Sequence, residues 1–166
     1  MRIAVTDTNI FIDLIKTNLL INLFKIGVSV TTTEEVINEL LEYQQAVLSP
    51  FIESGNLIVS SLSADDTRLI ESWPIPRGLS VVDAGLVLFA KTGEDYLILT
   101  NDQLLRSTCQ HYHIEVHGIL WLMDLFFEQG LSTGLELCEA LSQLMKGFHR
   151  LPILECGIRL TEWSAC

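Results

Sequence analysis

Short runs of apolar and β-branched residues alternate with stretches whose apolar positions recur at helical spacing, and the alternation runs along most of the chain. Residues 2–6 predict a strand, followed by a helical stretch to Phe24 that breaks near Thr17-Asn18. Residues 28–30 predict a short strand. Over residues 34–48, Val36, Ile37, Leu40, Leu41, Val47 and Leu48 trace one face of an amphipathic helix, which Pro50 and Gly55 end. A third strand is expected at 56–60 and a helix at 63–72, opened by the capping signal of Ser63 before Asp65 and Asp66. After the proline-stiffened turn at 73–78 come a strongly apolar helix (80–91), a strand (96–99), a helix (102–110) and a last strand (114–116). Helices at 119–129 and 133–146 are separated by Gly130. Strands joined through helices imply right-handed crossovers and a mostly parallel sheet, covered on both faces. The expected fold class is therefore a three-layer α/β/α sandwich. Its buried strands read as unbroken apolar runs, as Ile3-Ala-Val5 and Leu97-Ile-Leu99 do.

No linker composition divides the 166 residues, a length suited to one core. Residues 1–147 form the expected domain. Residues 148–166 have no clear period and make a C-terminal tail that packs on the domain or forms an interface.

The mean hydropathy of +0.38 is high, which raises the question of a membrane span. Asp124 breaks the apolar run at 118–127, and residues 10–30 carry Asp13, Lys16 and Lys25, whereas a spanning helix takes roughly 20 consecutive apolar residues. No secretory signal opens the chain, so the expectation is a cytoplasmic protein with no membrane association. The four cysteines form no CxxC pair, which suits reduced, idle thiols. His111, His113 and His117 lack the partners of a zinc site and read as surface or strand-edge histidines. A net charge of −11 argues against a large basic groove for duplex nucleic acid, and it would suit a basic partner.

Ligands of such sheets bind beyond the carboxyl ends of the strands, and acids fall there. Asp7 ends the first strand and Asp102 follows the fourth, both also at positions where Asp caps a helix. Asp83 lies in Val81-Val-Asp-Ala-Gly-Leu-Val87, with no other charge between Arg77 and Lys91. Ser80-Val-Val-Asp83 matches a capping box, yet an apolar setting makes an unpaired carboxylate costly, so a cation or several N–H donors should be near. Glu39 falls roughly 40° beyond the apolar arc of its helix, at about 3.6 residues per turn, while Glu35 and Glu42 project toward solvent.

In order and local context, Asp7, Glu39, Asp83 and Asp102 resemble the acidic set of the PIN-domain family. Asp7-Thr-Asn9 is similar to its first motif, Glu35-Val-Ile-Asn-Glu-Leu40 to its second, Leu79-Ser-Val-Val-Asp-Ala84 to its third and Leu99-Thr-Asn-Asp-Gln-Leu104 to its fourth. The resemblance covers about residues 2–130. It implies a PIN-like fold and a ribonuclease that hydrolyses phosphodiester bonds in RNA, leaving a 5′-phosphate and a 3′-hydroxyl. It implies that Asp7 and Asp83 are core metal ligands, completed by Glu39 and Asp102, with Asn9 holding the first carboxylate and nearby water. Hard carboxylate oxygens favour Mg²⁺ or Mn²⁺, ions that activate water and polarise phosphoryl oxygens. Gln103, Leu104 and Leu105 supply none of the further acid that many relatives carry, which leaves one metal or two open. Thr100 reads as strand-end capping ahead of a second holder of that carboxylate beside Asn9, and Arg77, Lys91 and Arg106 as solvated charges near the mouth.

Small members of this kind resemble VapC-type toxins of toxin–antitoxin pairs, which implies an antitoxin partner and a homodimer. Phe11, Leu14, Leu19, Leu20, Leu23 and Phe24 would form a cleft for the partner's helix, or a plain core. Two other readings stand beside this one: a PIN-fold binding module without useful activity, and a hydrolase with an Asp nucleophile, for which Asp7-Thr8-Asn9 lacks the second acid. No P-loop, GxGxxG, GxSxG or HExxH occurs.

Overall fold

A computed structural model describes residues 2–93, 95–147 and 151–165. Five strands, β1 (Ile3–Thr6), β2 (Ser29–Thr33), β3 (Leu57–Ser60), β4 (Tyr96–Leu99) and β5 (Glu115–His117), form one sheet in the order β3-β2-β1-β4-β5. Every pairing among them is parallel, so the sheet is wholly rather than mostly parallel. Ala4, Val5 and Thr6, like Leu97, Ile98 and Leu99, are completely buried. Successive strand residues face opposite sides, so helices must cover both faces, as expected of an α/β/α sandwich.

The helices are α1 (Thr8–Lys16), α2 (Leu20–Leu23), α3 (Glu34–Glu39), α4 (Glu42–Glu53), α5 (Ala64–Ser72), α6 (Val81–Lys91), α7 (Gln103–His111), α8 (Ile119–Glu128), α9 (Gly134–Met145) and α10 (Ile153–Ser164). The chain steps from β1 outward to β3, returns across the sheet to β4, and steps outward again to β5. Right-handed crossovers therefore place α1–α4 on one face and α5–α7 on the other. Contacts agree: α1 packs with α2, α3 and α4, whereas α6 packs with α5, α7 and strands β1, β2 and β4. The direction of stepping reverses between β1 and β4, where such sheets open a ligand crevice.

Three local features differ from the sequence reading. The single helix expected over 34–48 is two helices, because Leu40 and Leu41 are extended. The Gln44 side chain accepts from the Leu41 N–H, and Gln45 donates to the Ile37 and Leu40 carbonyls, so side-chain amides replace the broken helical ladder. Pro50 does not end α4, which runs through it to Glu53 before Gly55 turns at φ +76°. Strand β2 extends to Thr33, since Thr31 and Thr32 bond the Ile58 and Thr6 carbonyls and Thr33 caps α3.

The proposed cleft residues are interior: Phe11, Leu14 and Leu23 are completely buried, Leu19 and Leu20 nearly so, and Phe24 packs on the core against Phe51. At ~1.5–3 kcal/mol for each large side chain removed from water, they serve the core rather than a cleft. The tail expected from Phe148 begins in residues 148–150, outside the described residues. From Ile153 it is helical, and Cys156 and Trp163 bury against α9. Among the described residues no helix is long and apolar enough to cross a membrane. Cys109, Cys138 and Cys156 are free thiols, and burial pushes Cys109 up to about 12, far from a reactive thiolate.

Candidate active site

Strands β1 and β4 run side by side with Thr6 opposite Leu99, so the residues that follow them, Asp7 and Thr100, leave the sheet together. Asp7 occupies the position before α1, yet its side chain makes no cap hydrogen bond. The carboxylate is instead buried, only 3% exposed, and accepts the Thr100 hydroxyl at 2.8 Å. Thr100 Oγ1 also accepts the Asp102 N–H at 3.0 Å. One hydroxyl thus ties the first acid to the backbone of the fourth.

Of the other three acids, Asp83 and Asp102 are anchored at the starts of their own helices and Glu39 from α1. Glu39 is the last residue of α3 and exposed, and the buried Thr8 donates to its Oε2 at 2.6 Å. Asp83 takes up the expected cap of α6: the Ser80 hydroxyl accepts the Asp83 N–H and donates to its Oδ2 at 2.7 Å. Asp102 caps α7 through Oδ1, which accepts the Leu105 N–H at 2.7 Å. Capping and convergence are not exclusive, as the electrostatics show. Burial, above all, raises Asp7 to about 6; the Thr100 hydrogen bond opposes it, the Asp83 charge adds to it, the Thr8 backbone opposes it, and Glu39 adds to it. Asp83 is raised too, chiefly by burial and further by Asp102 and Glu39. Each of the four acids therefore shifts another or is shifted by it, and they share one electrostatic field at the carboxyl edge of the sheet.

Asn9 lies exposed on the first turn of α1, and the hydrogen bond to the Asp7 carboxylate comes from Thr100 instead. Thr8 is the residue whose role sequence reasoning passed over, whereas Thr100, read first as strand-end capping, both accepts the Asp102 N–H and holds Asp7. The signal for Thr8 was available, since it is a hydroxyl next to a strand-exit acid. A second omission is Asn101, whose amide donates to Asp13 Oδ2 and accepts the Ile119 N–H, both at 2.9 Å. Asp13 is fully buried on the core face of α1 with Ile10 and Leu14, so a charge at a core position was the clue. Glu35, expected in solvent, is half-buried, with Oε2 enclosed and without a hydrogen-bond partner among the described residues. Of the cations expected at the mouth, Lys91 lies over the Tyr112 ring at 4.3 Å and the Trp73 ring at 5.4 Å. Arg106 reaches the Thr100 and Val116 carbonyls, and Arg77 remains exposed.

As placed, no three His, Cys, Asp or Glu side chains among the described residues stand so that they could hold a metal ion. In kind, the donor set fits a hard divalent cation: carboxylate oxygens, one acid deeply buried, and mutual repulsion that added positive charge would relieve.

A family model described as "DUF3368: PIN domain" matches residues 3–154. The chain belongs to the PIN-domain family. PIN domains are in general nucleases that use divalent metal ions, which gives this member a nuclease-type role with RNA as the class of ligand. A search of curated proteins gives no match. Among solved structures, a PilT N-terminus domain protein, SSO1118, from the hyperthermophilic archaeon Sulfolobus solfataricus P2 is similar at 15% identity, over 76% of this chain and 94% of that one, with a TM-score of 0.47.

Proposed function

We propose that this PIN domain is a metal-dependent endoribonuclease with Asp7, Glu39, Asp83 and Asp102 as its catalytic acids and ligands of Mg²⁺ or Mn²⁺, and with Asn9 beside them. The observation that carries this reading is Asp7. A residue in a capping position leaves its cap unmade, is buried, and is pushed up to about 6 in the company of two other acids. Natural folds rarely hold such a carboxylate for stability alone. Bound there, a divalent ion would neutralise the acids and polarise a phosphoryl oxygen. Thr100 fixes the rotamer of Asp7, Thr8 holds Glu39 toward the same edge, and Ser80 and the Leu105 N–H fix Asp83 and Asp102. In the cell we assign it to the cytoplasm, as a homodimeric toxin of a toxin–antitoxin pair. Its net charge of −11 favours an antitoxin that offers a basic residue to the acids.

Asp7→Asn and Asp83→Asn should each abolish Mg²⁺- or Mn²⁺-dependent cleavage of RNA while circular dichroism stays unchanged. Unchanged cleavage in both would place the activity elsewhere. A second reading, a PIN-fold binding module without activity, draws support from the capping bonds that occupy Asp83 and Asp102. Calorimetry separates the two, because a wild-type protein that takes up no Mn²⁺ is the module.

A further inference from the structure

The Asp102 charge acts on Asp83, while its two neighbours, Asn101 and Gln103, line a cavity of about 430 Å³ on the β5 side. That size lies within the roughly 300–1,000 Å³ of single small-ligand pockets. One wall is aromatic: His117, at the end of β5, stacks on Trp121 of α8 with ring centroids 4.1 Å apart and planes 12° from parallel. The C-terminal helix α10 also lines it, with Glu155 and Arg159.

The charges in the cavity are unevenly committed. Arg159 is bidentate to Asp124, at 2.8 and 2.6 Å, and lies near Glu155, so its charge is compensated. Arg106 spends its donors on two backbone carbonyls at 3.3 and 3.4 Å and pairs with no carboxylate among the described residues. A cation without a counter-ion beside a planar aromatic wall, in a chain of net charge −11, suits a ligand that is itself planar and anionic. Gly118 keeps the floor open, since a Cβ there would fall 2.8 Å from Asn101 Oδ1 and 2.9 Å from the Arg106 guanidinium.

We infer that this cavity is a nucleotide subsite, taking one nucleotide of a single-stranded RNA that crosses the acids. The base packs on the His117–Trp121 wall and a phosphate turns to Arg106. The inference rests on the nuclease reading above and extends it, because it assigns the strand a direction off the acids, toward β5 and α10. Stacking of this kind accepts any base, so the subsite would grip the strand rather than read its sequence.

The test is fluorescence anisotropy of a short labelled single-stranded RNA of mixed sequence with the full chain, in EDTA so that nothing is cut. Trp121→Ala should weaken binding about tenfold or more, the scale of one lost base–aromatic stack, and Trp121→Phe should recover most of it. Equal binding by wild type and Trp121→Ala, or equal loss in both variants, overturns the inference. Photocrosslinking of a 4-thiouridine strand to the wild-type chain needs no variant: adducts on the peptide carrying His117 and Trp121 are expected, and adducts confined elsewhere overturn it. UMP or AMP alone, binding as tightly as the strand, would make the cavity a free-nucleotide site and overturn the strand assignment. Binding without cleavage once Mg²⁺ is added would fail the nuclease reading alone. Cleavage by Trp121→Ala with an unchanged KM would fail the subsite alone.

Discussion

The Thr100 hydroxyl donates to the Asp7 carboxylate at 2.8 Å across 93 residues of sequence, and this bond opposes the burial that drives the Asp7 pKa upward. Thr100→Val removes the hydroxyl at nearly constant volume. A hydrogen bond to a charged group contributes about 1.5–3 kcal/mol, so its loss should lift the Asp7 pKa by about one to two pH units. The acid limb of the pH–rate profile for RNA cleavage should move to higher pH, and activity at pH 7 should fall about two- to tenfold. Thr100→Ser should restore both. A profile that stays in place would remove Thr100 from the machinery.

A raised carboxyl costs stability once it ionises. Asp7 titrates at about 6 in the fold against an ordinary 3.8, so between those values the native state holds more protons than the unfolded chain. Stability then falls as pH rises from about 4 to about 6, and at pH 7 the deficit is about 3 kcal/mol. Asp83, shifted in the same direction, adds to it. Asp7→Asn should therefore be more stable than wild type to urea at pH 7.5 and lose that advantage at pH 4. Equal unfolding curves at both pH values would mean that Asp7 is not held against its charge.

The parts of this site that could be read from sequence are those with a one-dimensional signature. Leu97-Ile-Leu99 is apolar without interruption because the strand is buried on both faces, and the acids after β1 and β4 follow from where such strands end. The partner that holds Asp7 comes from the end of another strand, and nothing near Asp7 in sequence points to it. The break at Leu40-Leu41 was masked because both leucines continue the apolar spacing of one helix. Yet Leu40 is 4% exposed and Leu41 61%, a change of face that only the tertiary structure reveals. In α10 the reverse happens. Buried Cys156 and Trp163 are seven residues apart on one face, but exposed Ile153, Leu154 and Ile158 blur the period.

Asn101 bridges Asp13 on α1 and the first N–H of α8, and Gly118 is what lets it fit. The alanine methyl of Gly118→Ala would stand 2.8 Å from Asn101 Oδ1 and 3.3 Å from the Thr100 carbonyl. The Arg106 guanidinium can swing away, but the short Asn101 amide has two partners to lose. Overpacking of this kind costs about 1–3 kcal/mol, and displacement of Thr100 should lower RNA cleavage with it. Chemical denaturation and cleavage assays on the same variant check the coupling. A destabilised protein with full specific activity would confine Asn101 to a structural role.

The seam between α9 and α10 offers a test of whether the C-terminal helix matters to the site. A Cβ on Gly134 would fall 2.1 Å from the Trp163 carbonyl oxygen and 3.0 Å from its carbon. Both are backbone atoms, so no rotamer change can relieve the clash and α10 must shift as a body. Gly134 also opens α9, where Thr133 and Glu136 form a reciprocal capping box that the substitution leaves in place. Gly134→Ala should therefore lower stability by about 1–3 kcal/mol and raise amide exchange in residues 153–164 while β1 and β4 keep their protection. Because Glu155 and Arg159 close one side of the cavity beside Asp102, the same variant should bind single-stranded RNA more weakly without altering the pH dependence of cleavage set by Asp7. Exchange that rises equally in the sheet and in α10 would show that the helix is an integral part of one cooperative unit.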